Sequence, residues 1–191
     1  MISFREITKK VIFFILKITV TFFGSGLSKL APGTCGSLAT YILIVGLCEL
    51  IVKYKLPPIL FMSIFIVAIF LFGLISSYYY MKTTNNNNDP QEIVIDEVVG
   101  QLLAFALSFS FLLLSNNNSS LLNSSGFKIT FFIVMPFILF RFFDITKPSL
   151  VGYFDRIKNA FGVMMDDVIA GVFAGLTNSL IIFILIKLFV K

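Results

Sequence analysis

Long apolar runs separated by short polar segments make up most of the chain. The four clearest runs are Leu56–Ser76, Val98–Ser115, Phe127–Phe140 with an extension to Ile145, and Val168–Val190. Gly36–Val52 is a fifth run, although Glu49 lies near its end. A helix needs roughly 20 mostly apolar residues to cross the hydrocarbon core of a bilayer, and each run approaches that length. The pattern therefore predicts five membrane-spanning helices.

The beginning of the chain is first basic and then apolar. Arg5, Lys9 and Lys10 precede the apolar stretch Val11–Phe23, which Lys17 interrupts. This pattern is typical of a short amphipathic helix in the membrane interface, although a short sixth span would look the same. Backbone polar groups in hydrocarbon must be paired within the protein, and a helix pairs them within one segment. We therefore predict an all-α fold, a polytopic membrane helical bundle of about five spans plus a basic N-terminal interfacial helix.

The composition agrees with lipid as the main solvent. Hydrophobic residues make up 58% of the 191 residues and charged residues only 13%, whereas a soluble domain has about 45–50% and about 25%. So few charges cannot cover a water-facing surface. Five spans with short connections use most of the chain, so we expect one integral membrane domain over residues 1–191.

Charged residues are distributed unequally between the two sides that alternating spans define. Ten of the 15 Lys and Arg residues fall on one side: Arg5, Lys9, Lys10, Lys17, Lys29, Lys82, Arg141, Lys147, Arg156 and Lys158. Cytoplasmic loops carry the excess of Lys and Arg in membrane proteins, so we expect this side to face the cytoplasm. Apart from Glu6 in the N-terminal segment, eight of the ten acidic residues lie on the same side. Most of the candidate chemistry is therefore expected there.

Two absences limit that chemistry. The chain has no His, which excludes Ser-His-Asp and Cys-His nucleophile systems and imidazole metal sites. Cys35 and Cys48 are thirteen positions apart with no second pair, so they do not form a zinc site and are expected to be apolar packing residues. Acid–base chemistry therefore falls to carboxylates or lysines.

Five carboxylates are expected to meet at one membrane depth. Asp96 and Glu97 open one predicted span, Asp166 and Asp167 open another, and Asp144 closes the span between them. A carboxylate at a helix start can be purely structural, because the helix dipole stabilises it by about 0.3–1 kcal/mol. Five together would repel one another without a shared cation. Oxygen ligands without His or Cys favour Mg²⁺, Mn²⁺ or Ca²⁺, and we predict a Mg²⁺ site.

Two further groups of residues are suited to phosphate. Arg141, Asp144 and Lys147 follow at steps of three along a helix end that Pro148 closes, so both cations are expected to flank Asp144. An ion-pair ladder with both cations reaching lipid headgroups would have the same spacing. Beside a carboxylate-bound cation, however, Arg and Lys are the side chains that bind phosphate.

The segment from residue 24 to residue 37 is rich in Gly and hydroxyl side chains and directly precedes a predicted helix. Exposed backbone N–H groups at such a place suit an oxyanion. The residues that we expect to contact phosphate or headgroup are Gly24, Ser25, Gly26, Gly33, Thr34 and Gly36. A simple Gly-rich turn between membrane helices is the alternative.

Gly171 and Gly175, four positions apart, indicate a close helix-packing seam.

Taken together, these blocks resemble the phosphatidylglycerophosphatase A family of bacterial lipid phosphatases. The matching stretches are Gly24-Ser-Gly-Leu-Ser28, Ala31-Pro-Gly-Thr-Cys-Gly-Ser37, Asp89-Pro90, Ile93-Val-Ile-Asp-Glu-Val-Val-Gly100, Phe140-Arg-Phe-Phe-Asp144, Lys147-Pro148, Asp155-Arg156 and Phe161-Gly-Val-Met-Met-Asp-Asp-Val-Ile-Ala-Gly171. The blocks keep their order and internal spacing. Leu150 stands where the family usually has proline, and Asn159-Ala160 where it usually has two glycines.

The resemblance implies a magnesium-dependent phosphatase that converts phosphatidylglycerophosphate to phosphatidylglycerol and inorganic phosphate. It also implies a multi-pass protein of the bacterial cytoplasmic membrane whose partners are this phospholipid and the membrane, not nucleic acid. Carried over by position, Asp96, Glu97, Asp166 and Asp167 belong to the metal-binding set. Asp144, Lys147 and Arg141 lie beside the phosphate as catalytic residues, and Asp144 is our candidate proton acceptor.

Two other functions are compatible with a small polytopic protein of this kind. A CDP-alcohol phosphatidyltransferase is also a small polytopic enzyme with a metal held by acidic residues. Its long signature motif, which begins with Asp-Gly, continues through Ala-Arg and Gly, and ends with two further Asp residues, does not occur in this sequence. An ion transporter or channel would place its charges deep within spans. Here the charges cluster near span ends on one side, which favours the phosphatase.

Overall fold

The computed structural model describes residues 4–84, 90–115 and 124–189 of the chain. Its helices are α1 (Phe4–Val20), α2 (Pro32–Tyr54), α3 (Pro58–Thr84), α4 (Ile95–Ser115), α5 (Ser125–Thr146), α6 (Leu150–Asp155) and α7 (Ala160–Phe189), with a 3₁₀ turn at Ser25–Leu27. All regular elements in the described ranges are helices, which confirms the all-α prediction. Asp89, part of the family resemblance, lies outside the described residues.

Five of these helices are long and apolar enough to cross a membrane: α2, α3, α4, α5 and α7. Helix α1 has 17 residues and is not one of the five, so the prediction of five spans plus a separate N-terminal helix is confirmed. Four spans begin earlier than predicted, and the difference is largest for α2 and α7. Pro32 is accommodated in the first turn of α2, where its missing N–H costs nothing. Asn159 caps α7 by accepting a hydrogen bond from the Gly162 N–H at 2.9 Å.

Helices α4 and α7 cross with their backbones in contact. A Cβ atom on Gly171 would lie 2.3 Å from the carbonyl oxygen of Gly100, and one on Gly175 would lie 2.7 Å from Cβ of Leu107. The neighbouring Ala170 and Ala174 are fully buried and pack in one cluster with Ala104, Phe140 and Val151. The predicted small-residue seam is thus present, since only glycine lets the two backbones approach this closely.

Helix α5 contains a wider π-helical turn at Thr130–Val134. Pro136 follows it and, because it has no N–H, leaves a preceding carbonyl without its usual partner. Two other helices supply partners here. The Asn178 amide of α7 donates to the Phe131 carbonyl at 2.7 Å, and the Tyr41 hydroxyl of α2 donates to the Ile133 carbonyl at 2.6 Å. Backbone polar groups are therefore paired within the apolar bundle.

The N-terminal helix docks on the bundle through its last two turns. The Phe13 ring of α1 stacks on the Tyr80 ring of α3, with centroids 5.6 Å apart. Beyond α1 the chain turns at Gly24, whose φ of 91° is readily adopted only by glycine. The Val20 carbonyl then accepts a hydrogen bond from the Val94 N–H at 2.9 Å. The end of α1 is thereby tied to the segment that leads into α4.

Candidate active site

The crossing of α4 and α7 brings three of the four predicted metal ligands together. Asp96 lies one turn before Gly100, and Asp167 lies one turn before Gly171, so the close contact between the two glycines places both carboxylates side by side. One carboxylate oxygen each from Asp96, Glu97 and Asp167 lies within 4.8 Å of the other two. Asp96 and Asp167 are buried. These three carboxylates form the acidic cluster of the site.

The positions of Asp166 and Asp167 in their helix differ from the expectation. Because α7 begins at Ala160, the two residues lie well inside it and do not open it. Dipole stabilisation of a carboxylate is confined to the first turn of a helix. It therefore does not explain Asp167, and the structural alternative considered for this pair loses its basis.

Helix α5 adds Arg141 and Asp144 to the same site. Phe140 anchors this end of α5, because its ring fills the place that a side chain at Gly100 would take. Arg141 Nη1 lies 2.8 Å from Asp144 Oδ2, with both side chains largely buried. Among the described residues, neither Arg141 Nε nor Glu97 Oε2 has a hydrogen-bond partner, and both atoms are buried. Buried polar atoms without a partner are costly, so these two indicate a ligand.

The spacing along the helix suggested that Lys147 flanks Asp144. In the structure Lys147 lies at the site, but its ion pairs are with Asp155 and Asp166. It ends α5 in the left-handed conformation with a φ of 44°, which turns its side chain towards other partners. Its Nζ lies 2.9 Å from Asp166 Oδ2 and 2.5 Å from Asp155 Oδ1. Partial burial lowers the pKa of the Lys147 amine, but its hydrogen bonds to the two carboxylates and their charges outweigh burial and raise that pKa above its usual value. Lys147 is therefore a fixed cation.

All seven charged residues of the prediction line one cavity of about 350 Å³. The lining residues are Leu30, Ala31, Pro32, Gly33, Thr34, Gln91, Ile93, Asp96, Glu97, Arg141, Asp144, Lys147, Asp166 and Asp167. Gly33 allows the first turn of α2 to approach the acidic cluster, because a Cβ there would lie 2.2 Å from Glu97 Oε1. Asp166 belongs to the cavity through its ion pair with Lys147, outside the cluster of three.

The other Gly-rich residues do not line this cavity. A Cβ on Gly26 would lie 2.3 Å from the Glu92 carbonyl oxygen, and one on Gly36 would lie 2.8 Å from Cβ of Val94. The Ser25 hydroxyl donates to the Phe22 carbonyl at 3.0 Å, and Gly24 serves the turn after α1. Of the six residues expected to contact phosphate, the structure therefore brings only Gly33 and Thr34 to the cavity.

Sequence reasoning missed two residues of the site. Gln91 lines the cavity, and its place beside the Asp89-Pro90 block was the available signal. Asp155 pairs with Lys147 and stands in one of the blocks that carry the family resemblance. Its contact depends on how α6 folds back, which spacing along the chain does not reveal.

The arrangement combines two kinds of chemistry. Three clustered carboxylates supply the oxygen ligands that hard divalent cations prefer. Arg141 and Lys147 line the same cavity, where their charges can bind phosphate oxygens. The carboxylates could hold a metal ion, and the two cations could bind a phosphate group in the same cavity.

Comparisons with known proteins agree with the geometry. The family model of phosphatidylglycerophosphatase A matches residues 18–182. A phosphatidylglycerophosphatase A of Haemophilus influenzae is 38% identical over 155 residues, which cover 80% of this chain and 79% of the relative. A Bacteroides thetaiotaomicron protein named "Putative phosphatidylinositol-3-phosphatase" is 32% identical over 154 residues, 81% of this chain and 85% of the relative. No solved structure matches. This chain belongs to the phosphatidylglycerophosphatase A family and is a lipid phosphatase.

Proposed function

We propose that this protein removes the terminal phosphate of phosphatidylglycerophosphate in a Mg²⁺-dependent reaction at the cytoplasmic face of the membrane. One observation carries the proposal: the clustered carboxylates of Asp96, Glu97 and Asp167 share a cavity with Arg141 and Lys147. Membership of the family favours this activity over that of a phosphatidyltransferase or an ion channel.

The residues present fit a magnesium ion. The cluster offers only carboxylate oxygens, and Glu97 Oε2 is buried without a partner among the described residues. Asp96, Glu97 and Asp167 would hold the ion, while Asp166 is paired with Lys147. When bound, Mg²⁺ would neutralise phosphate oxygens and lower the pKa of a bound water.

The chain's own groups have distinct parts in the proposed reaction. Arg141 and Lys147 bind non-bridging oxygens of the phosphate and hold its charge through the transition state. Asp144 accepts the proton of the attacking water, and its contact with Arg141 keeps its carboxylate oriented. Gly33 and Thr34 present backbone N–H groups from the first turn of α2 towards the same phosphate.

The position of the cavity suits a lipid substrate. It is lined by the first turns of α2 and α4 and the last turn of α5, so a headgroup enters it while the acyl chains remain in the bilayer. The excess of Lys and Arg on this side supports a cytoplasmic orientation. To test it, single cysteines at Lys29 and Lys55 are introduced after both native cysteines are replaced by alanine. An impermeant thiol reagent on intact cells should label only the cysteine at position 55, and labelling of position 29 instead would reverse the orientation.

The activity is tested by phosphate release from purified full-length protein in detergent. Phosphatidylglycerophosphate is supplied with Mg²⁺, with Mn²⁺, with Ca²⁺ and with a chelator, and phosphatidylinositol 3-phosphate forms a parallel set. We expect release from phosphatidylglycerophosphate that requires Mg²⁺. Folded protein that releases no phosphate from it under any condition would refute the proposal. Preference for the inositol lipid would retain the chemistry and reassign the substrate.

A further inference from the structure

The lining of the cavity divides into a charged inner part and a neutral mouth. The buried carboxylates and Arg141 form the inner part, whereas Gln91 is exposed at the mouth. Gln91 carries the one side-chain amide among the described lining residues. An amide both donates and accepts hydrogen bonds without a charge, so it is suited to the hydroxyl groups of a ligand.

The turn that carries Gln91 is held from two helices. The neighbouring Glu92 carboxylate accepts a hydrogen bond from the Tyr80 hydroxyl of α3 and lies 3.6 Å from Lys17 Nζ of α1. The backbone is fixed as well, because the Ile93 N–H donates to the Pro90 carbonyl at 2.8 Å. We refer to Tyr80, Glu92 and Lys17 as the turn anchor.

The turn anchor is unusual for a surface turn. Tyr80 is only 1% exposed, and its hydroxyl is used for Glu92 alone among the described hydrogen bonds. Gly26 gives the Glu92 carbonyl room that any side chain would remove. Because the backbone of the turn is already fixed by these contacts, little backbone conformational entropy is lost when a ligand binds to Gln91. The anchor therefore favours recognition by Gln91 over a merely solvated glutamine.

We infer that Gln91 is a specificity-determining residue that hydrogen-bonds the hydroxyl-bearing spacer between the lipid's phosphodiester and its terminal phosphate, and that Tyr80 and Glu92 are its positioning residues. This rests on the proposed function, because the spacer belongs to the proposed substrate. The inner part of the cavity binds any phosphate monoester. The mouth then distinguishes a monoester carried on a polyol from one attached directly to the lipid glycerol.

The experiment compares two substrates with the same acyl chains, phosphatidylglycerophosphate and phosphatidic acid, which lacks the spacer. Wild type and Gln91→Met, which keeps the length of the side chain, are assayed with Mg²⁺. Loss of one neutral hydrogen bond should raise KM for phosphatidylglycerophosphate about threefold to tenfold, with kcat and all constants for phosphatidic acid unchanged. Equal constants for wild type and variant on phosphatidylglycerophosphate would overturn the role of Gln91.

The positioning role is tested with Tyr80→Phe, which keeps the ring that stacks on Phe13. It should raise KM for phosphatidylglycerophosphate alone, and the double variant with Gln91→Met should be no worse than Gln91→Met, because both changes remove one interaction. Tyr79→Phe, an exposed neighbour, is the control and should match wild type. A merely structural tyrosine would instead lower rates on both lipids and add to Gln91→Met, which would overturn the positioning role. Wild type inactive on both lipids would refute the proposed function itself.

Discussion

Two cavities share walls from α2, α4 and α5, lie at opposite ends of these helices, and differ in the chemistry of their lining. The cavity of the acidic cluster has about 350 Å³ and is lined by seven charged residues. The other has about 860 Å³, lies between the far halves of α2, α4 and α5, and is lined mainly by apolar side chains. We call these the acidic cavity and the apolar groove. Volume alone would favour the apolar groove as the active site. Only the chemistry of the lining identifies the acidic cavity as the candidate.

The charged groups of the two regions are in different physical situations. Glu49, Lys53 and Lys128 of the apolar groove are exposed, so solvent or headgroups can satisfy them. Asp96, Asp166 and Asp167 of the acidic cavity are buried, where like charges repel at low dielectric. A fold that keeps such a cluster sacrifices stability, which is typical of sites retained for function. The acidic cavity also differs in having α7 as a fourth wall.

The largest contrast is expected from removing one carboxylate in each region. Asp167→Asn should lower kcat by about 10²–10⁴-fold, the loss typical of one positioned catalytic group, and Glu49→Gln should leave phosphate release within about twofold of wild type. Initial rates on phosphatidylglycerophosphate at saturating Mg²⁺ measure both. Asp96→Asn, Glu97→Gln and Asp166→Asn should each also cost far more activity than Glu49→Gln. Equal losses in all five variants would remove the distinction between the regions.

A thermal readout separates metal binding from folding in the same variants. Mg²⁺ should raise the unfolding midpoint of wild type and of Glu49→Gln, since a ligand that binds only the folded state stabilises it. Without Mg²⁺, Asp167→Asn should unfold at or above the wild-type midpoint, because it removes like-charge repulsion, and added Mg²⁺ should shift it little. A full Mg²⁺ shift in that variant would exclude Asp167 as a ligand.

Replacing the cations comes next in expected size. Arg141→Lys keeps the charge but loses the planar set of donors, and loss of a charged hydrogen bond should lower kcat/KM about tenfold to a hundredfold. Lys128→Met at the apolar groove removes a charge entirely and should leave kcat/KM unchanged. Phosphate release at varied lipid concentration gives both values. If Lys128→Met proved the more harmful change, the groove would be part of the active site.

Much of the contrast between the two cavities could be predicted from the sequence. What could not be predicted has physical causes. Hydropathy locates all five spans, because each depends on local composition alone. The same residues that suggested a metal site line one cavity, because Gly100 and Gly171 set where α4 and α7 cross. The spacing of residues along the chain did not predict contacts made where the backbone is no longer helical. It could not show that Lys147 turns towards Asp155, nor that Gly26 and Gly36 receive the 92–94 segment.

Replacing a glycine in each region should change activity less than replacing a charged residue, because glycines act through helix packing. Gly171→Ala forces a methyl group against the Gly100 carbonyl and should destabilise the protein by about 1–3 kcal/mol, as overpacking does. It should also lower kcat less than about tenfold, because the clustered carboxylates are displaced slightly. Gly46→Ala on α2, where nothing lies within 4 Å of the new methyl, should match or exceed wild-type stability. Thermal midpoints and rates measure both, and a harmless Gly171→Ala would contradict the close crossing.

The smallest effect is expected at the inner end of the apolar groove, where a polar contact exists without catalytic chemistry. The Tyr41 hydroxyl donates to the Ile133 carbonyl and accepts from the Gln101 amide at 2.9 Å. Tyr41→Phe removes both hydrogen bonds, so it should cost about 1 kcal/mol, or about 2–4 °C in the unfolding midpoint of a chain this long. Phosphate release should stay within about twofold. Tyr54→Phe, exposed on the same helix, should change neither quantity. A large loss of activity in Tyr41→Phe with an unchanged midpoint would join the two cavities into one functional unit, because the hydroxyl would then act on the reaction and not on the fold.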